Sequence, residues 1–87
     1  MEFEWDPNKS RTNKTKHGID FDTATELWSD QNRIEIQINF PAENRNTLIG
    51  KVGNKLWTAI FTLRGEAIRL ISVRRARKKE LKLYEHN

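Results

Sequence analysis

Two short turn signals, Gly53-Asn54 and Gly65-Glu66, separate runs of alternating residues and constrain the fold of this chain more than any other feature. A two-residue hairpin of type II′ needs a positive φ at its first loop position, which glycine adopts without strain. Each such loop fixes which residues face each other across the ladder, and the side-chain period of two then assigns every residue to a face. Read as complete loops, the two signals predict strands over about Arg45–Val52, Lys55–Arg64 and Ile68–Arg74, the last starting at Ala67 at the earliest. Upstream, Ile34, Ile36, Ile38 and Phe40 alternate with Glu35, Gln37 and Asn39, which predicts a half-buried strand from Arg33. A loop over Pro41–Asn44 follows it. The result is a four-stranded antiparallel sheet.

Helical signals flank the sheet. Phe3 and Trp5 alternate with acidic residues in a short extended segment that turns its aromatics inward. Asp6 then caps a helix with Pro7 at its first position, and Gly18 stops it after His17. This helix has almost no apolar face: Lys9, Asn13 and either Lys16 or His17 share one side. Two readings stand, a helix resting on the surface or a polar stripe facing something polar. Asp20 caps a second helix, with Ile19 stapled to Ala24 and an apolar stripe of Phe21, Ala24, Leu27 and Trp28 for the core. Good helix formers over Arg75–Glu85 predict a closing helix. The expectation is one α+β domain over residues 1–87, with two N-terminal helices, a C-terminal helix and the sheet.

With no cysteine in 87 residues, disulfides, thiol catalysis and cysteine-ligated zinc are excluded. With only two histidines, His17 and His86, a closed metal site is not expected, and no cofactor is implied. No apolar run is long enough for a membrane span, and Met-Glu-Phe-Glu-Trp-Asp lacks the order of a signal peptide, so a cytoplasmic protein is expected. Charge is unevenly placed: residues 64–82 carry a net +6, while the whole chain carries +4. Such a patch attracts polyanions, of which nucleic acid is the commonest. A solvated helix face is the alternative.

The hairpin register puts Trp57, Ala59, Phe61, Leu63, Leu48, Ile68 and Leu70 on one face, the core. The other face carries Arg45, Thr62, Arg64 and Arg69, with Thr47, Thr58, Ile60 and Ile71. Arg45, Thr62 and Arg69 form a row across three strands. Guanidinium groups gathered in this way repel one another unless an anion sits among them, and their planar donors suit phosphate. The alternative is pairing with carboxylates such as Glu43, Glu35 or Glu66.

Phe3-Glu4-Trp5-Asp6, Asn13-x-x-Lys16-His17-Gly18-Ile19, Phe21-x-x-Ala24, Arg45 ahead of Ile49-Gly50, Arg64-Gly65, and the run Ile68-Arg69-x-Ile71-Ser72-x-Arg74-x-Ala76-x-x-x-Glu80-x-x-x-Tyr84 together resemble the BrnT family. The resemblance implies a RelE-like fold and the toxin of a type II toxin–antitoxin pair, a ribonuclease that arrests translation. It also implies a cognate BrnA-like antitoxin of ribbon-helix-helix type, through which alone operator DNA is contacted. Arg45, Arg64, Arg69 and Arg74 fall on arginines usual in the family pattern, and Lys16 and His17 fall on its Lys-His-Gly piece. The chain departs from that pattern at Leu63, Asn44 and Asn46.

RNA brings its own nucleophile, the 2′-hydroxyl, so a ribonuclease must mainly stabilise charge on the phosphate and move two protons. Arg64, Arg69 and Arg45 are the candidates for phosphate stabilisation, without a metal. His17 and Glu43 are the candidates for proton transfer. A helix-end imidazole bonded to backbone and a salt-bridge carboxylate are their respective alternatives. Lys16, Arg74, Arg75, Lys78 and Lys79 would hold the nucleic-acid backbone. Two other functions are carried beside the enzyme: a non-catalytic nucleic-acid-binding domain and a module that docks an acidic protein.

Overall fold

A computed structural model describes residues 1–40 and 43–86. Both hairpins form as their sequence demands. Strands β3 (Glu43–Val52), β4 (Lys55–Arg64) and β5 (Ala67–Arg75) are joined by Gly53-Asn54 and Gly65-Glu66. Gly53 and Gly65 have φ of 65° and 61°, and no described non-glycine residue has a positive φ. The second residue of each loop therefore has the negative φ that separates type II′ from type I′. Arg64 pairs with Ala67, Thr62 with Arg69 and Leu48 with Ala59, the expected register. β2 (Ile34–Phe40) adds antiparallel to β3.

Three features of the sheet depart from expectation. β3 begins at Glu43, so the anticipated Pro41–Asn44 loop yields its last two residues to the strand; Pro41 and Ala42 lie outside the described residues. The N-terminal segment is a fifth strand, β1 (Glu2–Glu4), parallel to β5, which makes the sheet mixed with the order β1-β5-β4-β3-β2. Phe3 anchors it by meeting Trp28 edge-on at 5.1 Å, and Trp28 meets Phe61 in the same way. Finally, a β-bulge shifts the β4–β5 register between Ile60 and Phe61: Phe61 pairs with Leu70 but Ile60 pairs with Ser72. Ile71 is the extra residue. The bulge reverses the faces beyond it, so Val73 is fully buried in the core, where unbroken alternation would have turned it outward.

Helix α1 (Pro7–His17) starts with Asp6 accepting from the Asn8 N–H at 2.8 Å and ends at Gly18 with φ 86°. The outcome combines the two readings: Lys9, Lys16 and His17 of its polar stripe are exposed at the surface, and Asn13 alone turns inward to a polar partner. β1 ends at Glu4, so the edge of β5 beyond Arg69 has no strand beside it. Asn13, 5% exposed, takes that place. Its Nδ2 donates to Val73 O at 2.8 Å and Ile19 O at 2.8 Å, while the Val73 N–H donates to its Oδ1 at 3.1 Å. The side-chain amide thus pairs with β5 as a neighbouring peptide would. Ser10 Oγ accepts from the Phe21 N–H at 2.9 Å and ties α1 to the next element.

The second helix is shorter than its stripe suggests. It is α-helical as α2 (Phe21–Ala24) and tightens to a 3₁₀ turn over Thr25–Ser29. Phe21, Ala24, Leu27 and Trp28 nevertheless all reach the core, packed on Leu48, Trp57, Ala59, Phe61, Leu70 and Val73. Gly50 is where this turn meets β3: a Cβ there would lie 3.3 Å from Leu27 O and 3.2 Å from a Leu48 methyl. Helix α3 (Lys78–Glu85), later in starting than expected, lies against the opposite face. There Ile49 and Thr58 are fully buried, Glu80 reaches Arg74, and Tyr84 donates to Asp30 at 2.7 Å. No described helix is long and apolar enough to cross a membrane.

Candidate active site

Alternation about Leu48, Phe61 and Leu70 puts Arg45, Thr62, Arg64 and Arg69 on the face away from the core. Arg64 and Arg69 converge there on a single carboxylate oxygen, Glu4 Oε1, at 3.5 and 3.6 Å. β1 supplies it, because its parallel register sets Glu4 beside Arg69. With Phe3 turned to the core, Glu4 turns to the arginines. The trio keeps a net positive charge. The Arg64 side chain is 63% exposed, Arg69 36% and Glu4 40%. At that exposure the pairs add little stability, and their consequence is orientation. The expected carboxylate alternatives were Glu43, Glu35 and Glu66; the pairing found is with Glu4. Arg45 is exposed and stands on the same face in β3. Glu43 opens β3, and its side chain lies outside the described residues.

His17 and Lys16 are exposed at the end of α1. They line a groove of about 270 Å³ with Asn8, Lys9, Thr12, Asn13, Ile71 and Ser72. The bulge is what brings Ser72 to this side. The structure therefore sets His17 across the β5 edge, in a groove that shares Ser72 with the arginine-bearing face.

The remaining basic residues divide. Arg74 sits on the arginine face but is committed to α3. Its Nη1 and Nη2 donate to the two Glu80 oxygens at 2.8 and 2.9 Å, with both side chains largely buried. Arg74, helped by the Arg77 N–H and opposed by burial, holds the Glu80 carboxyl down at about 2. Arg74, expected to hold the nucleic-acid backbone, thus has both Nη groups on Glu80 and also serves as a structural clamp between β5 and α3. Arg75 turns the other way: the bulge puts it on the core-face rim, with its guanidinium 5.5 Å from the centre of the Trp57 ring. It does not share a face with Arg64 and Arg69. Lys78 and Lys79 are exposed in the first turn of α3.

Sequence reasoning missed Glu4, Asn13 as an edge residue, and Ser72. Glu4 had a signal, its alternation with Phe3 and Trp5, but no turn ties β1 to β5. Asn13 is signalled only by its place on a helix that lacks an apolar face. The bulge that turns Ser72 outward has no marker, since Ile71 is an ordinary strand residue.

No individual curated protein matches the chain. A family model described as the ribonuclease toxin, BrnT, of type II toxin–antitoxin systems matches residues 5–80. That span takes in α1, the core, the hairpins, Arg64, Arg69 and the Arg74–Glu80 clamp, and the chain therefore belongs to the BrnT family of type II toxin–antitoxin ribonuclease toxins.

Proposed function

We propose that this chain is an endoribonuclease that cleaves RNA without a metal and inhibits translation, and that a cognate BrnA-like antitoxin of ribbon-helix-helix type holds it in check in the cytoplasm. The antitoxin is then the link to operator DNA. The α+β architecture is read as RelE-like. The observation that carries the reading is the convergence of Arg64 and Arg69 on one open sheet face, with Arg45 in the adjoining strand. Forked donors fixed in advance stabilise the charge that builds on the phosphate oxygens as the 2′-hydroxyl attacks. Arg64, Arg69 and Arg45 bind the scissile phosphate. His17 and Glu43 remain the groups for proton transfer, and Lys16, Lys78 and Lys79 attract the flanking backbone.

One observation favours the non-catalytic alternative. Among the described residues, Glu4 is the only ionisable proton acceptor within ion-pair distance of Arg64 or Arg69, and His17 lines the groove at the β5 edge with Ser72. The purified chain, incubated with RNA in EDTA, separates the two readings. Cleavage that falls by about 10²-fold or more in Arg64→Ala and Arg69→Ala is expected. Tight binding with RNA left intact would move the function to the binding domain.

A further inference from the structure

Between the arginines and α3 runs a second row of side chains on the same face. Ile36, Thr47, Ile60 and Ser72 stand opposite one another across β2, β3, β4 and β5. All four are half-buried. The row beyond them, Ile34, Ile49, Thr58 and Arg74, lies on the α3 side, and its centre is fully buried. The row before them holds Arg45, Thr62 and Arg69. The face is therefore graded: covered, then amphipathic and partly open, then cationic.

Resting on the reading of the arginines as the phosphate site, we infer that the Ile36–Thr47–Ile60–Ser72 row is the seat of an RNA base, that of the nucleotide whose phosphate the arginines hold. Residues two apart on one strand lie about 7 Å from each other along it. That is comparable to the reach from a backbone phosphate to its own base. The two isoleucines offer a flat apolar contact to a ring face, which every base has. The hydroxyls of Thr47 and Ser72 donate or accept, and so meet the polar edge of a ring. A phosphate alone has no use for this row, and a purely apolar partner has no use for the arginines beside it. A nucleotide uses both, and the charge of the arginine row selects the end at which its phosphate lies. Ile60, at the centre, positions the base and does not touch the reacting atoms.

The test is equilibrium binding of inorganic phosphate and of each of the four nucleoside 3′-monophosphates to the full chain at low salt. Wild-type protein should bind at least one nucleotide about tenfold more tightly than phosphate. Ile60→Thr, which keeps β-branching, should abolish most of that difference and leave phosphate affinity unchanged. Arg69→Ala should weaken both ligands. If Ile60→Thr does not fold, Thr47→Ala is read in the same way. Phosphate binding with no nucleotide preference would overturn the base seat and leave the arginine site standing. Absence of binding by either ligand would remove the site itself. Full nucleotide preference in Ile60→Thr, with loss of binding to the antitoxin, would make the row a protein contact instead.

Discussion

Glu4 sits between two arginines of opposite charge to its own, and its removal separates orientation from attraction. Glu4→Gln raises the net charge of the trio by one, so inorganic phosphate should bind more tightly, by about three- to tenfold at low salt. Calorimetric titration of phosphate checks this, and the gain should shrink as salt is added. Glu80 makes a different prediction. Its carboxyl is held at about 2 by Arg74, against an ordinary glutamate value of 4.5. A depressed pKa contributes stability that is present above about 4.5 and is lost as pH falls toward 2. For so buried a pair the contribution is of order 3 kcal/mol. Wild type should therefore lose more stability than Glu80→Gln between pH 5 and pH 2, by denaturant unfolding at each pH. Asp30 acts in the same direction. Burial pushes it up, but hydrogen bonds from the Asn32 N–H, the Tyr84 hydroxyl and the Lys51 N–H more than offset this and bring it down.

At the scale of elements, α1 is held by hydrogen bonds where most helices are held by an apolar stripe. Asn13 is the centre of that attachment. Asn13→Ala would leave the Val73 N–H and C=O and the Ile19 C=O without partners, at a cost of about 2–3 kcal/mol. Thermal or chemical unfolding checks it, and Asn13→Asp should not rescue it, since the carboxylate has no donor for the two carbonyls. The same element shows how far sequence reasoning reaches. The start and stop of α1 were legible because Asp6-Pro7 and Gly18 are local signals. What the helix faces was not, because its target is the edge of β5, and that edge is open only because β1 stops at Glu4. The hairpins were legible for the same local reason, and they carried the Arg64 and Arg69 face with them. The bulge at Ile71 lies beyond the arginine row, so it left Thr62 opposite Arg69 intact while exchanging the faces of Ser72, Val73, Arg74 and Arg75. The arginines nearest the turn were thus placed by the sequence, and those beyond the bulge were not.

For the molecule as a whole, the sheet divides labour between its faces. One face carries the packed core of Phe21, Leu27, Leu48, Leu70 and Val73, and stability resides there. The other is shared by α3, the amphipathic row and the arginines, and it is the face that the proposed chemistry uses. The Arg74–Glu80 clamp lets α3 cover one end of that face and leave the other open. The proposed chemistry rests on the forked, preoriented guanidinium of Arg69, which would stabilise charge on a scissile phosphate. Its most direct test is the single-turnover rate of RNA cleavage, at saturating enzyme, by Arg69→Lys beside wild type. Lysine keeps the charge and loses the fork, so the rate should fall by about 10²-fold with the unfolding temperature unchanged. A rate equal to that of wild type would contradict the claim.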